Sequence, residues 1–131
     1  MLNRLFRRKP KGIDWTQIDL ELTDSEKRQI ELFSAKSADM RIKDVMILGD
    51  TGDRKVFKLL QFSILYDQDK NVNFAALKRI HHFKKHPDLT PMLTDMKKQE
   101  KWNQYEPYFS MALSRVGLIT IEEFEQKINN G

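Results

Sequence analysis

The sequence predicts an all-α domain built as a stack of two-helix repeats. Three observations predict it. Apolar residues recur at helical spacing in one segment after another. Thr23-Asp24-Ser25-Glu26 and Thr120-Ile121-Glu122-Glu123 both carry the pattern of a capping box, in which a hydroxyl and a carboxylate each take one of the unpaired N–H groups at a helix start. Leu48, Ile80 and Leu113 stand 32 and 33 residues apart near the ends of predicted helices, with Met40, Val72 and Tyr105 eight residues before them. A fixed period of that length is the signature of a repeat architecture. Composition agrees: 40% apolar residues supply a core, and five Gly and four Pro in 131 residues are few for the tight turns of an all-β chain.

Residues 13–22 read as an irregular lead-in across the first helix pair, anchored by Trp15. Ile18, Leu20 and Leu22 alternate, but one short segment cannot make a sheet alone. A helix over about 24–35 turns Ile30, Leu32 and Phe33 inward. The next, about 38–48, carries Met40, Val45 and Leu48, and Gly49 and Gly52 interrupt it. Asp53 opens a helix over about 53–66 with too many apolar positions for one stripe, so it is expected to be covered on more than one side. A helix from Asn71 to about Phe83 has Val72, Ala75, Ala76 and Ile80 on one face, and the Ala pair permits close approach of a neighbour. Asp88–Lys98 forms a shorter helix in which Pro91 fits only the first turn. Residues 103–116 form another, stopped by Gly117. A final helix, 121–129, turns Ile121, Phe124 and Ile128 inward.

The formal charge of +4 belongs to the first residues. Arg4, Arg7, Arg8, Lys9 and Lys11 lie in a stretch without acids, leaving 18 of the 23 basic residues against all 19 acidic ones. The expected organisation is a basic flexible tail over 1–12 and a single helical-repeat domain over 13–131. A near-neutral body gives no global field for nucleic acid. No cysteine is present, which excludes thiolate chemistry, disulfides and Cys-ligated metals. No apolar run approaches the length of a membrane span, and no apolar stretch of the signal-peptide kind follows the first arginines, so a cytoplasmic protein is expected.

Leu48-Gly49-Asp50-Thr51-Gly52-Asp53 resembles the inter-repeat turn of bacterial HEAT-like (armadillo-type) helical repeats. Asp67-x-Asp69 resembles the acidic turn within one repeat, and Val72-Asn73-x-Ala75-Ala76 resembles that family's second-helix signature. The resemblance is good over 45–83 and faint elsewhere. Asn73 stands where Arg is usual, Arg79 where a small apolar residue is common, and the third unit has bulky aromatics in place of Ala. The resemblance implies a short right-handed α-solenoid of about three degenerate two-helix repeats with a C-terminal capping helix. It also implies a non-enzymatic module, an adaptor or inhibitor, binding a protein partner along one preformed face.

The residues expected to meet that partner are Arg41, Lys43, Asn73, Lys78, Arg79, His82 and Glu106, which lie on the three second helices at positions that do not fit the core pattern. Lys78–His86 is the most basic patch of the body, suited to an acidic protein surface and, as an alternative, to a phosphate backbone. Residues 1–11 allow peripheral contact with anionic lipid through Leu2, Leu5, Phe6 and their cations. A toxin-neutralising protein of the immunity type and a DNA-binding repeat protein remain alternatives. No catalytic, metal or cofactor site is expected. Asp67-Gln68-Asp69 begins like a calcium loop, but Val72 and Lys78 occupy the positions that need Gly and a bidentate carboxylate. His82 and His86 have i,i+4 spacing suited to a metal, yet Lys78, Arg79, Lys84 and Lys85 surround them.

Overall fold

Thr23 starts the first helix as its sequence predicts. Its hydroxyl accepts from the Glu26 N–H at 3.1 Å, and Glu26 accepts from the Thr23 N–H at 2.9 Å. In this computed structural model, which describes residues 12–130, helix α1 spans Asp24–Ser34. It is followed by α2 (Ala38–Thr51), α3 (Phe57–Leu65), α4 (Lys70–Leu77), α5 (Leu89–Lys97), α6 (Tyr108–Arg115) and α7 (Ile121–Asn130). Short 3-10 turns stand before α3, after α4 and before α6. Among the described residues there is no strand. The expectations placed on residues 1–11, the flexible tail and its lipid contact, lie outside the described residues.

Helix α3 is the centre of the molecule. Phe57, Leu59, Leu60, Phe62 and Ile64 are buried on all sides of it, together with Gln61 and Ser63. Ser63 satisfies its hydroxyl by donating to the Leu59 carbonyl one turn back, at 2.8 Å. Each such apolar side chain contributes roughly 1.5–3 kcal/mol on full burial, and no other helix buries as many large ones. Helix α4 packs closely on both α2 and α3. Its buried face is Val72, Ala75, Ala76 and Leu77, where the small Ala side chains let the backbones approach. Helices α2, α4 and α6 pack in succession, α1 lies on α2 and α3, and α7 closes against α6. The lead-in adds Ile13, Trp15, Ile18, Leu20 and Leu22 to the edge of this core. Trp15 is half-buried, its indole N–H reaching Glu31 at 3.4 Å, and the Asp19 N–H donates to the Tyr66 hydroxyl at 3.0 Å.

Several boundaries differ from expectation for identifiable reasons. Gly49 does not interrupt α2, which runs on to Thr51. Gly52 ends it, in the left-handed conformation with φ +62°. Gly49 is instead buried within the helix, where a Cβ would stand 2.9 Å from Arg79 Cβ and Cδ. The helix expected over 71–83 stops at Leu77 and continues as the turn Ile80–Phe83. Ile80 and Phe83 keep an inward i,i+3 spacing, so periodicity alone does not reveal the change of helix type. The helix expected over 103–116 is divided at Pro107. Proline forces the residue before it away from the α region, and Glu106 is extended.

Four residues expected inside are exposed: Leu32, Met40, Ile121 and Ile128. Ile30 and Phe33 define a narrow buried stripe on α1, and Leu32 is turned about 100° from Phe33. Among the described residues helix α7 packs chiefly on α6, with Phe124 half-buried while the isoleucines on either side face solvent.

Candidate functional site

Two of the seven expected contact residues meet at the turn between α3 and α4. Arg41 reaches from α2 to the Asp67 carboxylate through Nε at 2.9 Å and Nη2 at 3.2 Å, and its Nη1 donates to the Lys36 carbonyl at 2.7 Å. Both partners are largely covered, with side chains 16% and 4% exposed. Asn73 approaches the same turn from α4. Its Nδ2 donates to the Ser63 and Asp67 carbonyls at 2.6 and 3.0 Å, and its Oδ1 accepts from the Tyr105 hydroxyl at 3.0 Å. Asn73 is 5% exposed and cannot meet a partner. Its expected surface role is therefore corrected: a buried amide is stable where every donor and acceptor finds a mate, and here they do. The acids of the same turn also have local roles. Asp67 accepts from the Asp69 N–H, and Asp69 caps α4 by accepting from the Asn71 and Val72 N–H groups.

Arg79 and Glu106 are also engaged internally. Arg79 pairs with Asp50 at 3.1 Å and donates to the Ala75 carbonyl at 3.0 Å, satisfying an acceptor freed at the end of α4. Its stem lies over Gly49, so an arginine takes the place of the small residue that the family resemblance led one to expect there. Glu106 accepts from both the N–H and the hydroxyl of Ser110 in the first turn of α6, at 2.8 and 2.5 Å. Three of the seven remain on the surface: Lys43 on α2, Lys78 just beyond α4 and His82 in the following turn. Lys78 stands over the Tyr108 ring, its ammonium 4.5 Å from the ring centre.

His82 belongs to a pocket of about 300 Å³ whose lining also includes Gly52, Arg54, Lys84, Lys85 and His86. The chain approaches itself closely here, since a Cβ on Gly52 would lie 3.0 Å from the His82 carbonyl oxygen. Arg54 was not among the expected residues. The signal for it was present: the offset of 32 residues that pairs Leu48 with Ile80 also pairs Gly52 with Lys84 and Arg54 with His86.

The three histidines differ in environment. The His86 ring stacks on Phe57, with centres 3.9 Å apart and planes 14° apart, and its Nδ1 accepts from the Asp88 N–H at 3.1 Å. That bond leaves the proton of the neutral ring on Nε2. Burial holds the His86 pKa below the ordinary imidazole value, the nearby Arg54 and Lys58 adding to the effect and Asp88 opposing it. Burial lowers His81 likewise, reinforced by His82 and Arg115, and among the described residues its buried Nδ1 has no hydrogen-bond partner. His82 is exposed, its ring 4.1 Å from that of His81. Asp88 is held below its ordinary value chiefly by the hydrogen bond from Lys58, at 2.9 Å. Among the described residues no three His, Asp or Glu side chains gather as a metal site, and no helix is long and apolar enough to cross a membrane. The chain matches no protein family model, no characterised protein and no solved structure.

Proposed function

We propose that this chain is a non-enzymatic protein-binding module, an adaptor or inhibitor, that captures its partner on the preformed surface of a short right-handed α-solenoid. The solenoid reading takes α1–α2, α3–α4 and α5–α6 as three degenerate hairpins with α7 as the cap. The serial packing of α2, α4 and α6 supports it. So does the pairing of turns 32 residues apart at Gly52 and Lys84. The resemblance to HEAT-like repeats supplies the same expectation.

The observation that carries the binding reading is the setting of the exposed cations around residues 78–86. The backbone beneath them is fixed by the Gly52–His82 approach and by the Phe57–His86 stack. A surface held in place this way loses little entropy on association, which is what a recognition module requires. Lys78, His82 and Lys43 replace the fuller set inferred from sequence as the residues free to meet a partner.

Affinity capture from native host cells tests the proposal, using the full chain and a Lys78→Ala/His82→Ala double variant. Both side chains are exposed, so the variant should keep the circular dichroism of the parent. A protein retained by the parent and depleted by the variant is the expected result. Retention of nucleic acid in place of protein, or equal retention by both chains, would count against it.

A further inference from the structure

The charge balance of the pocket at residues 82–86 points to its occupant. Arg54, Lys84 and Lys85 are exposed and make no ion pair among the described residues. The acids close to the pocket are committed elsewhere: Asp88 to Lys58, Asp50 to Arg79 and Asp53 to the Lys55 N–H. Among the described residues no carboxylate lines the pocket, whereas three fixed positive charges and two imidazoles do. We propose that this pocket receives a carboxylate-bearing, Glu- or Asp-rich segment of a partner protein. The proposal rests on the protein-binding reading above and names the chemistry that the partner presents.

Several features favour an acidic protein segment over a nucleic acid. A duplex carries one charge about every 1.7 Å of its axis and is held by cations arrayed along that length. Here Arg54, Lys84 and Lys85 gather at one concavity, and Glu26, Asp50, Asp53 and Asp88 lie around it. Glu26 and Asp53, which make no ion pair among the described residues, repel a continuous polyanion but leave room for one or two inserted carboxylates. Arg54 offers a planar fork that binds a carboxylate through two parallel hydrogen bonds, and Lys84 and Lys85 add point charges. Neutral His86 carries its donor on Nε2 and is held by Phe57 and the Asp88 amide, so one wall is set before the ligand arrives. Because the cations are exposed, binding should weaken steeply with salt.

Amide NMR of the full chain, titrated with a capped hexaglutamate peptide, tests the inference. Saturable shifts are expected at Gly52, Arg54 and residues 82–86, weakening about tenfold in a Lys84→Glu/Lys85→Glu variant. Both lysines are exposed, so that variant should fold. Peptide shifts that fail to saturate at these amides would overturn the inference, as would a short DNA duplex saturating the same amides more tightly than the peptide. A captured partner protein that survives the Lys84→Glu/Lys85→Glu change removes the acidic-segment inference and leaves the binding module standing. Absence of any captured protein removes the module itself.

Discussion

Replacing Asn73 by alanine should destabilise the fold strongly while leaving the partner surface in place. The side chain joins three parts of the chain: the end of α3, the turn into α4, and Tyr105 from the segment before α6. Truncation leaves the Ser63 and Asp67 carbonyls without this donor and Tyr105 without its acceptor. A buried polar group left unpaired costs about 1–3 kcal/mol. Partial access of solvent to the turn at Asp67 keeps the total near the lower end of the sum, so about 3 kcal/mol is expected. For a domain of this size that corresponds to a melting temperature lower by roughly 10 °C. Tyr105→Phe removes only the hydroxyl and should cost about 1 kcal/mol. Denaturant unfolding of both single variants and the double variant measures the coupling directly, and the two losses should add to more than the double variant shows. A loss below about 1 kcal/mol for Asn73→Ala would refute the buried-network reasoning. Weakened partner capture at unchanged stability would restore Asn73 as a recognition residue.

Gly49→Ala should destabilise by about 1–3 kcal/mol, because the new Cβ meets the Arg79 stem at 2.9 Å and must displace it. Gly52→Ala should cost a similar amount through its left-handed φ and the His82 carbonyl, and thermal melts check both. Stability should fall as pH drops below the ordinary imidazole value of about 6.5. His81 and His86 bind protons less readily folded than unfolded, so their contribution is complete above that value and is lost as pH falls through their lowered pKa values. The groups facing them are His82, Lys84 and Arg115 for His81, and Arg54, Lys58, Asp88 and Glu26 for His86. Melting temperatures between pH 7 and 5 should decline for the parent and flatten in a His81→Gln/His86→Gln variant; a flat profile in the parent would refute the assignment.

Much of the helical layout was legible because capping chemistry is local. Thr23 and Thr120 with their partner glutamates, Asp69 at the start of α4 and Gly52 at the end of α2 act within a few residues of themselves. The crowding of apolar residues over 56–65 likewise announced a helix enclosed on several sides. What sequence did not disclose depends on distant partners. Asn73 reads as surface until the carbonyls that receive its amide are brought to it, and Arg41 reads as a free cation until Asp67 is placed opposite. The same holds for Arg79 above Gly49. Polar type and helical phase signal exposure on average, and each of these side chains is an exception made by a tertiary hydrogen bond. The exposed Leu32, Met40 and Ile128 err in the other direction, since periodicity shows that a face is apolar without showing that anything covers it.

The central claim, capture of a protein through the cationic surface at 78–86, is tested most directly by photo-crosslinking in native host cells. A photoreactive residue is placed at position 78 or 82 and, as a control, at position 122 on α7. A discrete protein adduct from 78 and 82, absent from 122, is the predicted result. Adducts with nucleic acid, or the same protein adducts from all three positions, would contradict the account.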